Sequence, residues 1–264
     1  MRPFRDATQV IDRILIRLLG LPYLRFVRDP LLHERCEYLI ARVKRADIER
    51  MRVLDVGCGS GLALLYLERL CCGRIADYVG VDLDVARLAK RYRFVTIPHE
   101  FRRTDLDENW DFGQFDLVFC AEVIEHIVDD IRLFDVLCAH VKRGGLLILT
   151  TPSKDFVLRM AKHFPGFDDV SSVQDGGHVR QGYTADELAS LANRNAMELL
   201  SVDWISRFDV KDLGRYLSHK KMLDQIVFNI SNPRRDHVTR FVLGGEAEEF
   251  RDRYMSIAVC LRKP

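Results

Sequence analysis

Residues Val53 to Gly61 read VLDVGCGSG, an apolar strand running into three glycines at alternate positions, Gly57, Gly59 and Gly61. A glycine turn that opens onto a helix lets backbone N–H groups come close to a ligand, because no Cβ stands in the way. A phosphate-gripping loop of the G-x-x-x-x-G-K-[ST] kind needs a lysine, and this turn has none. A dinucleotide turn needs glycine or alanine at the last position of G-x-G-x-x-G/A, where this chain has Leu62.

Short apolar runs recur on either side of that turn. Arg52–Gly57, Asp77–Asp82, Phe115–Glu122 and Gly145–Pro152 read as strands, separated by helix-like stretches at Ala63–Leu70, Val85–Tyr92 and Ile131–Val141. Strands alternating with helices predict a parallel sheet covered on both faces. A short edge strand is expected near Glu100–Arg103, and two later strands at Met197–Ser206 and Tyr254–Lys263. Between them Thr184, with Glu187 three residues on, marks the start of a helix reaching Asn193.

Before the turn, Val10, Ile11, Ile14, Leu15, Leu18 and Leu19 recur at helical spacing, and so do Leu31, Leu32, Cys36, Leu39, Ile40 and Val43. Residues 1–48 are therefore expected to form a helical cap on a domain of residues 49–264. A lid over the site and a basic amphipathic anchor on a membrane surface are the other readings of the N-terminal helix. Segments 154–182 and 207–253 are long for plain connections and are expected to be substrate loops.

The chain has 264 residues, 48% of them apolar, and 40 basic against 39 acidic side chains. That composition supports a full core and gives no global field favouring nucleic acid. The seven cysteines have no C-x-x-C spacing and several sit in apolar runs, which points to a reducing compartment and a cytoplasmic protein.

The G-x-G-x-G turn preceded by Asp55, with Asp82 ending the next strand, resembles the class I S-adenosylmethionine-dependent methyltransferases. The resemblance implies a Rossmann-like, mostly parallel seven-stranded sheet with helices on both faces and an antiparallel last strand. It implies S-adenosyl-L-methionine held by Asp55, Gly57, Cys58, Gly59 and Gly61, by Asp82 and Leu83, by Asp105 and Leu106, and by Ala121 and Glu122. Asp82 would take the ribose hydroxyls, since a carboxylate accepts from two at once, and Asp105 and Leu106 would lie against the adenine.

The stretch AEVIEHIVDD, Ala121–Asp130, leaves a strand at the carboxyl edge of the sheet, where ligands bind in open α/β folds. If Glu122 opens a helical turn, Glu125 and His126 share its face. Two carboxylates and an imidazole so placed need a positive partner. A divalent cation, Mg, Mn or Zn, held by Glu122, Glu125, His126 and the later His178, is one such partner. His126 acting as base or substrate contact without metal, with Glu125 and His178 beside it, is the other chemical reading. A purely structural reading also stands, with Glu125 on solvent and His126 capping the strand end.

Here the resemblance divides. E-x-x-E-H with a later histidine is similar to ubiquinone-pathway O-methyltransferases and to metal-dependent small-RNA 2′-O-methyltransferases. The EHI and GHVRQGYT elements also resemble bacterial methyltransferases acting on sugars, lipids and natural products. The expected reaction is O-methylation of a hydroxyl on a small molecule, glycan or lipid headgroup. RNA 2′-O-methylation is the alternative, but the basic residues Lys211, Arg215, Lys220, Lys221, Arg234 and Arg235 form no recognisable RNA-binding module. A cofactor-binding subunit without catalysis is the reading from another class, which a degraded turn or a missing Asp82 would have favoured.

Overall fold

A computed structural model describes residues 30–171, 177–218, 241–243 and 248–264. The helix expected at Thr8–Leu19, and most of segment 207–253, lie outside the described residues. The elements are α1 (Pro30–Arg45), β1 (Met51–Val56), α2 (Leu62–Cys71), β2 (Ile75–Asp82), α3 (Leu88–Arg91), β3 (His99–Arg103), β4 (Phe115–Ala121), α4 (Asp130–His140), β5 (Val141–Pro152), α5 (Lys154–Ala161), α6 (Ala185–Arg194), β6 (Glu198–Arg207), α7 (Val210–Ser218), β7 (Phe241–Leu243) and β8 (Tyr254–Arg262).

The strands make one sheet in the order β3-β2-β1-β4-β5-β8-β6-β7. β1, β2, β3, β4 and β5 pair in parallel, and β8 runs antiparallel to both β5 and β6. The seven expected strands are all present, with the last one antiparallel. The three-residue β7 adds an eighth beside β6, pairing Ile205 with Phe241.

Alternation along the strands divides the core into two layers, because successive side chains point to opposite faces. Val53, Leu117, Phe119, Leu146 and Ile148 pack with Tyr38 and Leu39 of α1 and Leu64 and Leu67 of α2. Leu54, Val56, Val118, Leu147 and Val259 pack on the other face with Leu133 and Phe134 of α4 and Leu188 of α6. Helix α1 thus lies on the sheet beside α2, tied to β6 by Arg42 and Tyr38 reaching Asp203. Six of the seven cysteines are buried, and each of the six fills a place in one of the two layers.

One local expectation changes. The helix expected over Val85–Tyr92 contracts to the single turn of α3, Leu88–Arg91. The aromatic residues Phe156, Trp204 and Phe208 are buried, Phe156 and Phe208 together in a third cluster with Leu31. At α6 the capping box is complete, with Thr184 accepting from the Glu187 amide and Glu187 from the Thr184 amide.

Asp55 lies beneath the glycine turn, 3% exposed, and accepts a hydrogen bond from the Tyr78 hydroxyl. Burial pushes its carboxyl up to about 7, the Tyr78 hydrogen bond pulls the other way, and the charge of Asp82 adds to the rise. A carboxyl that keeps its proton in the native state stabilises the fold below its ordinary value of 3.8 and loses that contribution as pH rises through about 7. Asp55→Asn should therefore gain in melting temperature relative to the unaltered chain as pH rises across that window. Parallel pH dependences in thermal melts would contradict this account of Asp55.

Candidate active site

The glycine turn follows β1 directly, and its first two amides, of Gly57 and Cys58, both donate to the Val81 carbonyl of β2. Gly57 has φ +72°, and a Cβ there would meet Val123 Cγ2 at 2.2 Å, so this glycine is required by its neighbour. Gly59 also has positive φ, +51°, but a Cβ would find nothing closer than 4.0 Å. The middle of the turn is open on its outer face, which is where a ligand can reach the backbone.

Asp82 ends β2 against this turn and accepts from the Gly59 amide at 2.9 Å. Leu83 beside it is 57% exposed, an apolar surface next to a carboxylate. Asp105 is exposed, whereas the Leu106 side chain belongs to the core and its carbonyl accepts from Arg132. Cys58 is buried in the layer above α2, and Ala121 closes β4 half-buried. The turn, Asp82, Leu83 and Asp105 therefore gather at the carboxyl edge of the parallel strands, while Asp55 and the side chains of Cys58 and Leu106 lie beneath the surface.

After β4 the backbone turns at Glu122 into the left-handed region, φ 55°, and then forms one 3-10 turn, Ile124–His126. No helical turn begins at Glu122, so the three site residues do not share one helix face as the spacing predicted. The Glu122 amide still donates to Thr150 of β5 at 2.9 Å. Its carboxylate is held by Thr150 Oγ1 at 2.9 Å and by Arg35 of α1 at 2.9 Å. Arg35 also donates to Ser256 of β8, so the positive partner of Glu122 comes from the N-terminal helix.

Glu125 is fully buried. Its Oε2 accepts from Thr151 at 3.1 Å, and its Oε1 has no hydrogen-bond partner among the described residues. Burial drives its carboxyl well above the ordinary range and the charge of Glu122 adds to this. His126 Nε2 lies 3.8 Å from Glu125 Oε1, and its Nδ1 sits 2.9 Å from the Gly177 carbonyl. That carbonyl keeps a proton on Nδ1 and leaves the Nε2 lone pair facing the cluster. The His178 ring meets the His126 ring edge-on with centroids 4.8 Å apart. Burial lowers the His178 pKa, the neighbouring His126 does so too, and Glu122 opposes them.

The structure therefore brings together Glu125, His126 and His178, with ligand-capable atoms all within 4.8 Å of one another, and leaves Glu122 outside that group in the grip of Arg35 and Thr150. Tyr183 is buried and donates to Asp130, a packing role. Arg35, Thr150, Thr151 and Arg180 escaped the sequence reading. Two hydroxyls at the end of the apolar run GLLILTTP were a usable signal for the threonines, because that end of a parallel strand opens on the ligand edge.

Residues 28–202 match a family model described as a methyltransferase domain. The chain is 28% identical over 207 residues to the mitochondrial ubiquinone biosynthesis O-methyltransferase of Homo sapiens, covering 75% of this chain and 56% of that one. It is 30% identical over 122 residues to the ubiquinone biosynthesis O-methyltransferase of Rickettsia typhi, covering 45% of this chain and 49% of that one. The chain spans about half the length of the curated relatives it matches. Among solved structures, the N-methyltransferase NodS of Bradyrhizobium japonicum with S-adenosyl-L-homocysteine superposes with TM-score 0.54 at 15% identity, covering 91% of each chain, and so shares the fold. With the G-x-G-x-G turn, the strand-ending Asp82, the sheet order and a family match over well more than half of the residues, the chain belongs to the methyltransferase-domain family, as a class I S-adenosylmethionine-dependent member.

Proposed function

We propose that this protein methylates a hydroxyl of a small molecule bearing two neighbouring hydroxyls, at a site where Glu125, His126 and His178 hold a divalent cation. The observation that carries this reading is the enclosed Glu125 carboxylate, whose Oε1 has no hydrogen-bond partner among the described residues while two imidazoles stand beside it. Ionising that carboxyl there without a positive partner would cost several kcal/mol, which is why burial drives it well above the ordinary range. One carboxylate and two imidazoles form a donor set suited to a borderline or hard divalent ion. The O-methyltransferase names of the ubiquinone-pathway relatives supply the acceptor atom in this reading.

The chain's own residues divide the work. Gly59 admits the cofactor to the backbone, and Asp82 takes the ribose hydroxyls in exchange for its present contact with the Gly59 amide. The Gly177 carbonyl fixes the His126 tautomer so that Nε2 offers a lone pair to the cluster. Arg35 and Thr150 keep Glu122 in place beside the acceptor space. In the transfer the acceptor oxygen attacks the sulfonium methyl in line, the O–C bond forms as the C–S bond breaks, S-adenosylhomocysteine leaves, and the hydroxyl proton passes to solvent water. A cation bound at the triad would lower the pKa of that hydroxyl.

No helix among the described residues is long and apolar enough to cross a membrane.

Asp82→Ala should weaken S-adenosylmethionine binding by about 10- to 100-fold, the worth of hydrogen bonds to a charged group, with the fold intact by circular dichroism. Unchanged affinity in calorimetry would refute the ribose assignment. His126→Ala should cost about 100-fold or more in turnover while cofactor affinity stays near that of the unaltered chain, and retained turnover would make this histidine structural. With a catechol as probe acceptor, exhaustive chelation should abolish formation of the methyl ether, and Mn²⁺ should restore it. Full turnover after chelation would remove the cation from the reading and leave His126 Nε2 as the proton acceptor.

A further inference from the structure

We propose that Arg180 is the positioning residue that sets His178 against His126 and Glu125, by clamping the loop carrying His178 onto the carbonyls of Ile124, Ile127 and Val128, within and just after the E-x-x-E-H turn. This proposal rests on the reading of Glu125, His126 and His178 as one working cluster.

The 3-10 turn Ile124–His126 stops after a single turn, and α4 begins only at Asp130. Carbonyls at such an end have no partner from a continuing helix. Arg180 supplies one. Its Nη2 donates to Ile127 O at 2.8 Å and to Val128 O at 3.1 Å, and its Nη1 reaches Ile124 O at 3.4 Å. The same Nη1 pairs with Asp130 of α4 at 2.7 Å and donates to the Tyr183 hydroxyl at 2.6 Å. A guanidinium offers five N–H donors in a rigid plane, and this one joins three backbone carbonyls, one carboxylate and one hydroxyl.

The two segments are also joined through backbone atoms. The Val179 amide donates to Glu125 O at 2.9 Å, and Gly177 O lies 2.9 Å from His126 Nδ1. Residues on both sides of His178 are thus in register with Glu125 and His126, and only the side chain of His178 remains to face the cluster. Downstream the loop is pinned at Tyr183, whose amide donates to Pro152 O and whose carbonyl accepts from the Lys154 amide. Between that anchor and His178, Arg180 is the one side chain among the described residues that spans with more than one hydrogen bond to the stretch 124–128, which holds the end of the E-x-x-E-H turn and the two residues after it. Arg180 touches no ligand-capable atom of Glu125, His126 or His178 in these contacts, so its effect passes through the backbone.

The test is Arg180→Ala, with two readouts on the full chain. The first is the nuclear Overhauser contact between the His126 and His178 ring protons, which the edge-on packing makes strong in the unaltered chain. Arg180→Ala should abolish that contact, and an undiminished contact overturns the proposal whether or not a cation binds. The second is Mn²⁺ affinity by calorimetry, expected to fall about 10- to 100-fold as for other residues that orient a ligand from behind, with S-adenosylmethionine affinity unchanged. If the unaltered chain binds no Mn²⁺, the cation reading fails and the ring contact alone decides for Arg180. If Arg180→Ala does not fold, Arg180→Lys replaces it. Lysine keeps the charge toward Asp130 but cannot reach all three carbonyls, so a weakened ring contact supports the proposal and an unchanged one overturns it.

Discussion

The Glu125 carboxylate is buried, and one of its oxygens has no donor among the described residues. Removing an ionised carboxylate from water costs several kcal/mol even after the protein relaxes. Such a group is held neutral, paired with a cation, or it destabilises the chain. Around Glu125 the structure places one hydroxyl from Thr151, two imidazoles from His126 and His178, and the charge of Glu122 that Arg35 offsets. The arrangement of β4, β5, α1 and the loop at 177–183 encloses this one carboxylate at the same sheet edge as the glycine turn.

Each of those elements reaches the spot for a separate reason. β4 and β5 are neighbours in a parallel sheet, so their carboxyl ends emerge together and put Glu122 beside Thr150. The left-handed φ at Glu122 ends the strand abruptly and lets the 3-10 turn fold back over the sheet edge. Helix α1 lies across the sheet by its apolar face, and its Arg35 then meets Glu122 and Ser256. Electrostatics around Glu122 are therefore set by a residue far from it in sequence, and loss of α1 packing would reach Glu122 without touching the glycine turn.

The fold was legible because its signals are local. Alternating apolar strands, the glycine spacing and the Asp82 position each sit within a few residues, and the sheet followed from their order. The pair Glu125 and His126, with His178 as their later partner, was also legible as chemistry out of place on an apolar strand. Arg35 and Arg180 were not, for different physical reasons. Arg35 looked like one more charge on an amphipathic helix, because nothing local marks which face of α1 meets the site. Arg180 binds backbone carbonyls, which have no residue identity for a pattern to register. Glu122 was assigned to the cation group on the premise of a helical turn, and the positive φ that breaks that turn is unusual for a glutamate and invisible in its letter.

The central claim is that Glu125, His126 and His178 form one cation site facing the methyl donor. Anomalous diffraction from crystals grown with S-adenosylhomocysteine and Mn²⁺ addresses it directly. The account predicts a single anomalous peak bonded to Glu125 Oε1, His126 Nε2 and a ring nitrogen of His178, with Glu122 still on Arg35. Cofactor density in the glycine turn without any peak among those three side chains would contradict it.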